Sequence, residues 1–508
     1  MDSRFNKWII ALSVVLPTLI EVIDTSVVNV SLNHIRGSLS AGLDESTWTI
    51  TAYLVSNAII IPLSGWLSRV FGRKRYLIFS VILFTVSSFL CGSARTLNML
   101  VFFRVIQGIG GGGLQPMSQS ILLESFPPYQ HGMAMAMFGI GVMVGPIVGP
   151  VLGGWITDNW SWPWIFYINI PIGILSVIMI WLFIHDPKYL KRENETADYW
   201  GIGLIAVGLG CLQVVLDKGQ QEDWFQSAFI VRLAILSAVC LISFLFVERK
   251  AKHPVLNLRV FKDITFTSAN CIQAIAFFVL FGSITLLPLF LQTLMGYNAY
   301  LAGLALAPGG ITTLLMMPVV AVLMKKVSPK ILLACGLCLV AYSTYVASQF
   351  NLSVDFGMVI MPRVYLGLGM AFVFVPLTSM AFANIPKPEM SNATSIFSLN
   401  RNIAGSFGIA FITTILARRA QFHQARLVEQ LTPLDMRYQM AVHKAGQALG
   451  SHSQSAADGV IYRQLMQQSN LAAYVDAFYL CAVIMCCVIP MVIFLKRPTH
   501  SATDVVMH

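Results

Sequence analysis

Arg104-Val105-Ile106-Gln107-Gly108-Ile109-Gly110 returns later in the chain as Arg363-Val364-Tyr365-Leu366-Gly367-Leu368-Gly369. A weaker pair keeps a similar offset: Leu67-Ser68-Arg69 with Arg73-Lys74, against Leu323-Met324-Lys325 with Lys330. Both copies of the heptad lie inside long apolar runs. Working outward, such runs recur at roughly 8–33, 47–67, 76–94, 97–121, 132–156, 163–184, 199–216, 229–247, 265–290, 299–324, 330–349, 356–385, 392–417 and 473–495. Each is long enough to cross a bilayer as a helix, which takes about 20 residues. Only helices serve, because backbone polar groups in lipid must be satisfied within their own segment. The repeat makes runs one to six and nine to fourteen two copies of one six-helix unit. The expected fold is an all-α membrane protein of fourteen transmembrane helices. An N-terminal half covers 1–198, and two inserted helices with a cytoplasmic linker cover 199–262. A C-terminal half covers 263–508 and includes an extracytoplasmic loop at 418–473. Paired six-span halves with a substrate site between them near the midplane are a transporter design.

Composition agrees. The chain is 56% apolar and 11% charged, about half the charge of a soluble domain. The first run starts at Trp8 and continues through Glu21, Asp24 and Asn29. No small-residue cleavage site follows it, so no cleavable leader is expected. The net charge of +10 reflects topology rather than nucleic acid. Basic residues gather in alternate loops: Arg69, Arg73, Lys74 and Arg75; Lys188, Lys191 and Arg192; Arg249, Lys250, Lys252, Arg259 and Lys262; Lys325, Lys326 and Lys330. Arg4, Lys7, Lys496 and Arg497 flank the ends, whereas the opposite short loops hold little beyond Arg36, Arg95 and Lys218. By the positive-inside rule both termini are expected in the cytoplasm.

The nine cysteines, Cys335 and Cys338 with their CxxC spacing included, all fall in apolar runs and read as small packing residues. No metal and no cofactor is expected. Residues 418–473 are polar, and Thr432-Pro433-Leu434-Asp435 reads as a helix start. The span count puts this stretch outside the cytoplasm.

Charged groups inside the spans carry the chemistry. Glu21 and Asp24 lie three residues apart in the first span and share a face. A carboxylate there is costly and is a functional candidate by default, and loss of water favours its protonated form, which suits proton exchange. Arg104 in span four cannot shed its proton and needs an anion or several acceptors. Asp24 is its natural partner, either as a proton switch or as a permanent structural pair. Arg363 and Arg401 pose the same question in the second half, with Asn400 and Asn402 beside Arg401. A tentative substrate cavity would draw on Asn29, Gln107, Gln273, Phe277, Arg363, Asn400 and Arg401, with Asn270, Phe278 and Phe281 as further lining or lipid-facing residues.

In span five, Gly141, Gly145, Pro146, Gly149, Pro150, Gly153 and Gly154 form a dense series. Glycines four apart let helices approach closely, and prolines bend them. Gly65 and Gly72-Arg73-Lys74 join spans two and three in a tight turn whose cations can engage helix C-termini and lipid phosphates. No GxxxxGK[ST], HExxH or GxSxG is present, so neither an ATP motor nor a hydrolase is indicated.

These motifs resemble the three signatures of the major facilitator superfamily: Gly65…Gly72-Arg73-Lys74, Arg104-x2-Gln107-Gly108-x-Gly110, and the antiporter motif Gly141-x3-Gly145-Pro146-x2-Gly149. Asp24-Thr25-Ser26-Val27-Val28-Asn29-Val30 and Trp164-Ile165-Phe166-Tyr167-Ile168-Asn169-Ile170-Pro171-Ile172-Gly173 resemble the fourteen-span drug:proton antiporters of EmrB/QacA type. The long loop before the last span is most similar to the EmrB branch. Arg69 departs from the pattern by occupying the acidic position of the loop motif, and Glu21 stands outside the family motif. The resemblance implies a major facilitator fold in a bacterial inner membrane and proton-coupled export of lipophilic small molecules. It implies Asp24 as the coupling acid, Arg104 as its partner, Gly145 and Pro146 as a hinge, and a periplasmic membrane-fusion adaptor and outer-membrane channel as partners. A dedicated exporter of one metabolite, such as a siderophore or fatty acid, is the alternative. A membrane enzyme or sensor would need a catalytic cluster or a folded soluble domain, and the sequence offers neither.

Overall fold

The computed structural model describes residues 7–187, 198–251, 254–429, 431–432, 435–448 and 454–495. In chain order its α-helices are α1 (Lys7–Ser38), α2 (Leu43–Phe71), α3 (Arg73–Gly92), α4 (Leu97–Gly111), α5 (Leu114–Ser125), α6 (His131–Asn159), α7 (Trp164–Tyr167), α8 (Asn169–Phe183), α9 (Tyr199–Lys218), α10 (Ala228–Lys250), α11 (Ile264–Thr293), α12 (Ala299–Leu304), α13 (Ala307–Leu323), α14 (Pro329–Ala347), α15 (Phe356–Ala381), α16 (Met390–Glu429), α17 (Met436–Ala448) and α18 (Gln454–Val488). Consecutive pieces α4–α5, α7–α8 and α12–α13 each complete one span. Among the described residues thirteen spans are long and apolar enough to cross a membrane. With α6, 29 residues long and packed between α1 and α13, the bundle reaches the fourteen expected. Large apolar side chains such as Phe79, Phe102, Trp181, Phe246 and Leu315 stand on its outside. Water would penalise that surface, and lipid does not.

Helix packing repeats between the halves. α1 lies on α6 as α11 lies on α16; α4 lies on α2 and α3 as α15 lies on α13 and α14; α8 lies on α3 as α18 lies on α14. Glycines make the closest of these contacts. A Cβ on Gly108 would press on the Tyr53 carbonyl of α2 at 2.6 Å and one on Gly110 on Phe84 of α3 at 2.6 Å. In the second copy Gly369 faces Val340 of α14 at 2.7 Å, and Gly367 abuts the Gly309 carbonyl of α13. Small residues are what allow this approach. The inserted α9 touches both halves: Gln213 Nε2 donates to Ser406 Oγ of α16 at 2.9 Å, and Lys218 Nζ to the Asp44 carbonyl of α2 at 3.2 Å.

Two ends depart from the expected spans. α16 is a single helix of 40 residues, about 60 Å at 1.5 Å per residue and roughly twice the hydrocarbon thickness. α18 likewise begins well before the apolar run does. The expected polar loop is therefore largely a helical projection. His423 Nε2 and Asp476 Oδ2 meet at 2.8 Å between α16 and α18, and Tyr438 of α17 donates to Asp458 of α18 at 2.8 Å. Polarity marks where the bilayer ends, and α-helical hydrogen bonding continues past that point at no cost. Pro433 and Leu434 of the expected helix start lie outside the described residues, as do Arg4, Lys188, Lys191, Arg192, Lys252, Lys496 and Arg497; α17 begins just after Asp435.

Candidate functional site

Asp24 is fully enclosed at the meeting of five helices. Its Oδ2 accepts from Arg104 Nη1 at 2.5 Å, and its Oδ1 accepts from Gln107 Nε2 and Asn169 Nδ2, each at 2.9 Å. Arg104 also donates through Nε to the Thr49 carbonyl at 3.0 Å and through Nη1 to Gln107 Oε1 at 2.7 Å, and lies 4.2 Å from the Tyr53 ring centroid. Ser88 Oγ accepts from Gln107 at 2.7 Å and from Asn169 at 3.2 Å. A buried ion pair persists only where its remaining donors and acceptors are satisfied in this way.

Glu21, one helical turn earlier, has different surroundings. It borders a cavity of about 390 Å³ between the two halves, walled by α1, α2, α5, α6, α11, α13, α15 and α16. Asn57 Nδ2 donates to its Oε1 at 3.1 Å, while Oε2 makes no hydrogen bond of normal geometry. The sequence places both acids on one face, and the 60° between positions i and i+3 is enough to part them. Along α1 the lining grades from buried Glu21 through half-buried Thr25 and Ser26 to exposed Asn29. The cavity thus widens toward the end of the bundle where the α16–α18 projection stands. The other end is shut by contacts between halves: Ser64 Oγ meets Ser395 Oγ at 2.9 Å and Ser120 Oγ meets Ser391 Oγ at 3.1 Å.

Two arginines of the second half reach the same cavity. Arg363 donates to Ser283 Oγ at 3.1 Å and to the Ser283 carbonyl at 2.8 Å. Arg401 donates to Gln115 Oε1 and lies 5.9 and 5.8 Å from the Phe138 and Phe277 rings. Asn29, Phe277, Phe281 and Asn402 also line the space. Gln107, Gln273 and Asn400 are corrections: none borders it. Gln107 is consumed by the Asp24 network. Asn400 turns to the Asn270 carbonyl at 2.8 Å, and Gln273 is buried behind it at 3.5 Å. Asn57 and Gln115 escaped the sequence reading, although a lone amide in an apolar run is the signal that would have found them, and Asn169 entered it only as part of the Trp164–Gly173 motif, with no role of its own.

The span-five glycines form the seam with α1. A Cβ on Gly141 would meet Val15 at 2.8 Å and one on Gly153 would meet Val27 at 3.0 Å; at Gly145 and Gly149 it would collide with Val22 and Ser26. The side chains of Pro146 and Pro150 lie outside those described. In the loop motif Gly72 takes φ 86°, a left-handed value that favours glycine. Arg73 is buried against Glu124 of α5 rather than set on lipid phosphate, and Lys74 Nζ donates to the Trp181 carbonyl near the end of α8 at 2.6 Å. Arg69 reaches the Pro254 carbonyl in the linker after α10 at 3.1 Å. Among the described residues no group of His, Cys, Asp or Glu is arranged to hold a metal.

Residues 14–409 match the model of the Major Facilitator Superfamily. The chain is 36% identical to the fatty acid resistance protein FarB of Neisseria gonorrhoeae, over 97% of this chain and 96% of that protein. It is 35% identical to the multidrug export protein EmrB of Escherichia coli K12, over 96% of this chain and 95% of that one. Among solved structures, the human organic anion transporter MFSD10 superposes with a TM-score of 0.60 at 12% identity, covering 95% of this chain and all of its own, a likeness of fold.

Proposed function

The chain belongs to the major facilitator superfamily, and we propose on that premise that it exports lipophilic small molecules across a bacterial inner membrane in exchange for protons. The observation that carries this reading is one cavity between two helical repeats in which a carboxylate, Glu21, borders walls that are largely apolar. On this reading residues 1–198 and 263–508 are the two rocking halves, and 199–262 is an inserted pair with its linker. The loop charges support cytoplasmic termini. The cavity would then open to the periplasm and be sealed on the cytoplasmic side by the Ser64–Ser395 and Ser120–Ser391 contacts. Glu21 is our candidate for taking the proton from the outside, with the Asp24–Arg104 pair bracing span one against spans two to four and six. Gly141, Gly145, Gly149 and Gly153 would let α6 slide on α1. The helical projection is proposed as the dock of a periplasmic membrane-fusion adaptor that continues to an outer-membrane channel.

The relatives' names, multidrug export and fatty acid resistance, favour a broad substrate range, with export of one metabolite such as a fatty acid as the second reading. The test is transport by purified protein in proteoliposomes carrying an imposed pH gradient, against a panel of lipophilic compounds. Accumulation that collapses with the gradient is the expected result. Accumulation that ignores it, or none for any compound, would overturn the proposal.

A further inference from the structure

The two halves carry the same arginine in the same register but give it different partners. Arg104 reaches an acid eighty residues before it, Asp24. Arg363 also reaches eighty residues back and finds Ser283. A hydroxyl and a carbonyl accept hydrogen bonds from a guanidinium but supply no counter-charge. Arg363 is 4% exposed and borders the cavity. Arg401 borders it from α16, is held by the neutral amide of Gln115, and leaves Nη1 without a hydrogen bond of normal geometry. Among the described residues no carboxylate lies within 4.0 Å of either guanidinium, whereas Arg104 and Arg73 each have one. Among the described residues Glu21 is the one acid on the lining. The cavity thus presents two guanidinium groups against one carboxyl, and a buried cation without a partner anion is costly. Phe277, Phe281, Leu366 and Met370 surround these charges with apolar surface.

We propose that Arg363, with Arg401, anchors the carboxylate of an amphipathic organic acid whose apolar body lies along Phe277, Phe281 and Met370. The substrate would supply the anion that Ser283 lacks and Asp24 provides in the other half. A guanidinium takes a carboxylate through two parallel N–H donors, and the adaptable Met and Phe walls tolerate many chain and ring shapes. This inference rests on the transporter reading, and it narrows that reading to acids over neutral or cationic analogues.

The first half supplies the test. Ser283→Asp installs the internal counter-ion that the fold already holds at Asp24, so it should preserve or raise the unfolding temperature while occupying Arg363. The probes are dansyl-labelled undecanoate and its methyl ester, binding to detergent-purified protein followed by fluorescence. Wild type should bind the acid roughly tenfold or more tightly than the ester, the discrimination of one hydrogen bond to a charged group. Ser283→Asp and Arg363→Gln should abolish the preference and leave the ester's affinity as it was, and Arg363→Lys should keep part of it. Equal binding of acid and ester by wild type overturns the proposal without any variant. So does an undiminished preference in folded Ser283→Asp, which would mark Arg363 as structural only. Protein that moves a lipophilic dye under a pH gradient yet binds both probes alike refutes the anion site and leaves the exporter reading standing. Protein that selects the acid but transports nothing does the reverse.

Discussion

Replacing Asp24 by asparagine removes one charge from a place with no water to compensate. Asp24 receives three hydrogen bonds, from Arg104, Gln107 and Asn169. Asparagine keeps one oxygen and turns an amide toward groups that are themselves donors. Arg104 would retain the Thr49 carbonyl, Gln107 Oε1 and the Tyr53 ring. Removing one partner of a buried ion pair costs about 3–5 kcal/mol. The surviving contacts offset part of this, a cation–π contact being worth about 2 kcal/mol when desolvated, so a loss toward the lower end, about 3 kcal/mol, is expected. Glu21→Gln differs in kind. Its Oε1 can still accept from Asn57, and Oε2 gives up no hydrogen bond of normal geometry. The expected cost is under about 1 kcal/mol, the scale of one hydrogen bond. Unfolding of the two detergent-purified variants, followed by intrinsic fluorescence, measures the difference, and proteoliposome transport under a pH gradient measures coupling. The expectation is a destabilised Asp24→Asn, partly rescued by a second change, Arg104→Gln. Glu21→Gln should be stable, insert normally and lose only pH-driven transport. A wild-type-stable Asp24→Asn that has lost coupling, beside a Glu21→Gln that transports normally, would refute this division of roles.

Other perturbations test other parts of the molecule. Gly145→Leu should abolish transport while the protein still inserts, because even its Cβ collides with Val22 of α1; normal transport rates would remove the seam from the mechanism. Cysteines at Ser64 and Ser395, whose hydroxyls are 2.9 Å apart, should crosslink under mild oxidant and arrest transport until reductant is added; a crosslinked protein that turns over would show that this contact never opens. Deleting residues 430–465 should abolish efflux from intact cells and pull-down of the adaptor while leaving proteoliposome transport unchanged; full efflux with unchanged adaptor binding counts against docking at the projection.

Spans were legible because lipid imposes both length and polarity on a helix. The Asp24–Arg104 pair was legible for a related reason: opposite charges in apolar helices have few places to go except to each other. What stayed hidden depends on angle and distance rather than residue type. Glu21 and Asp24 share a face on paper, yet one meets the cavity and the other a closed network. Gln107 looked like a ligand contact until Asp24 took its amide. Glu124, the partner of Arg73, lies at the far end of the fourth span, and nothing local ties the two together. Ser283 carries no signal as a residue and gains meaning only through the repeat that sets it opposite Asp24. The projection was hidden because its helices continue where hydrophobicity stops.

α16 runs unbroken from the sealed end, where Ser391 and Ser395 meet the other half, past Arg401 at the cavity and out to Arg419 and His423 in the projection. It is a lever arm with its load at one end. Its length of about 60 Å means that a tilt of ten degrees during rocking would sweep its tip through roughly 10 Å, while Arg401, eleven residues from the sealed end, would shift by about a quarter as much. Anything gripping the outer tip feels every cycle, and a grip stiff enough to hold the tip still would also hold the cavity in one state.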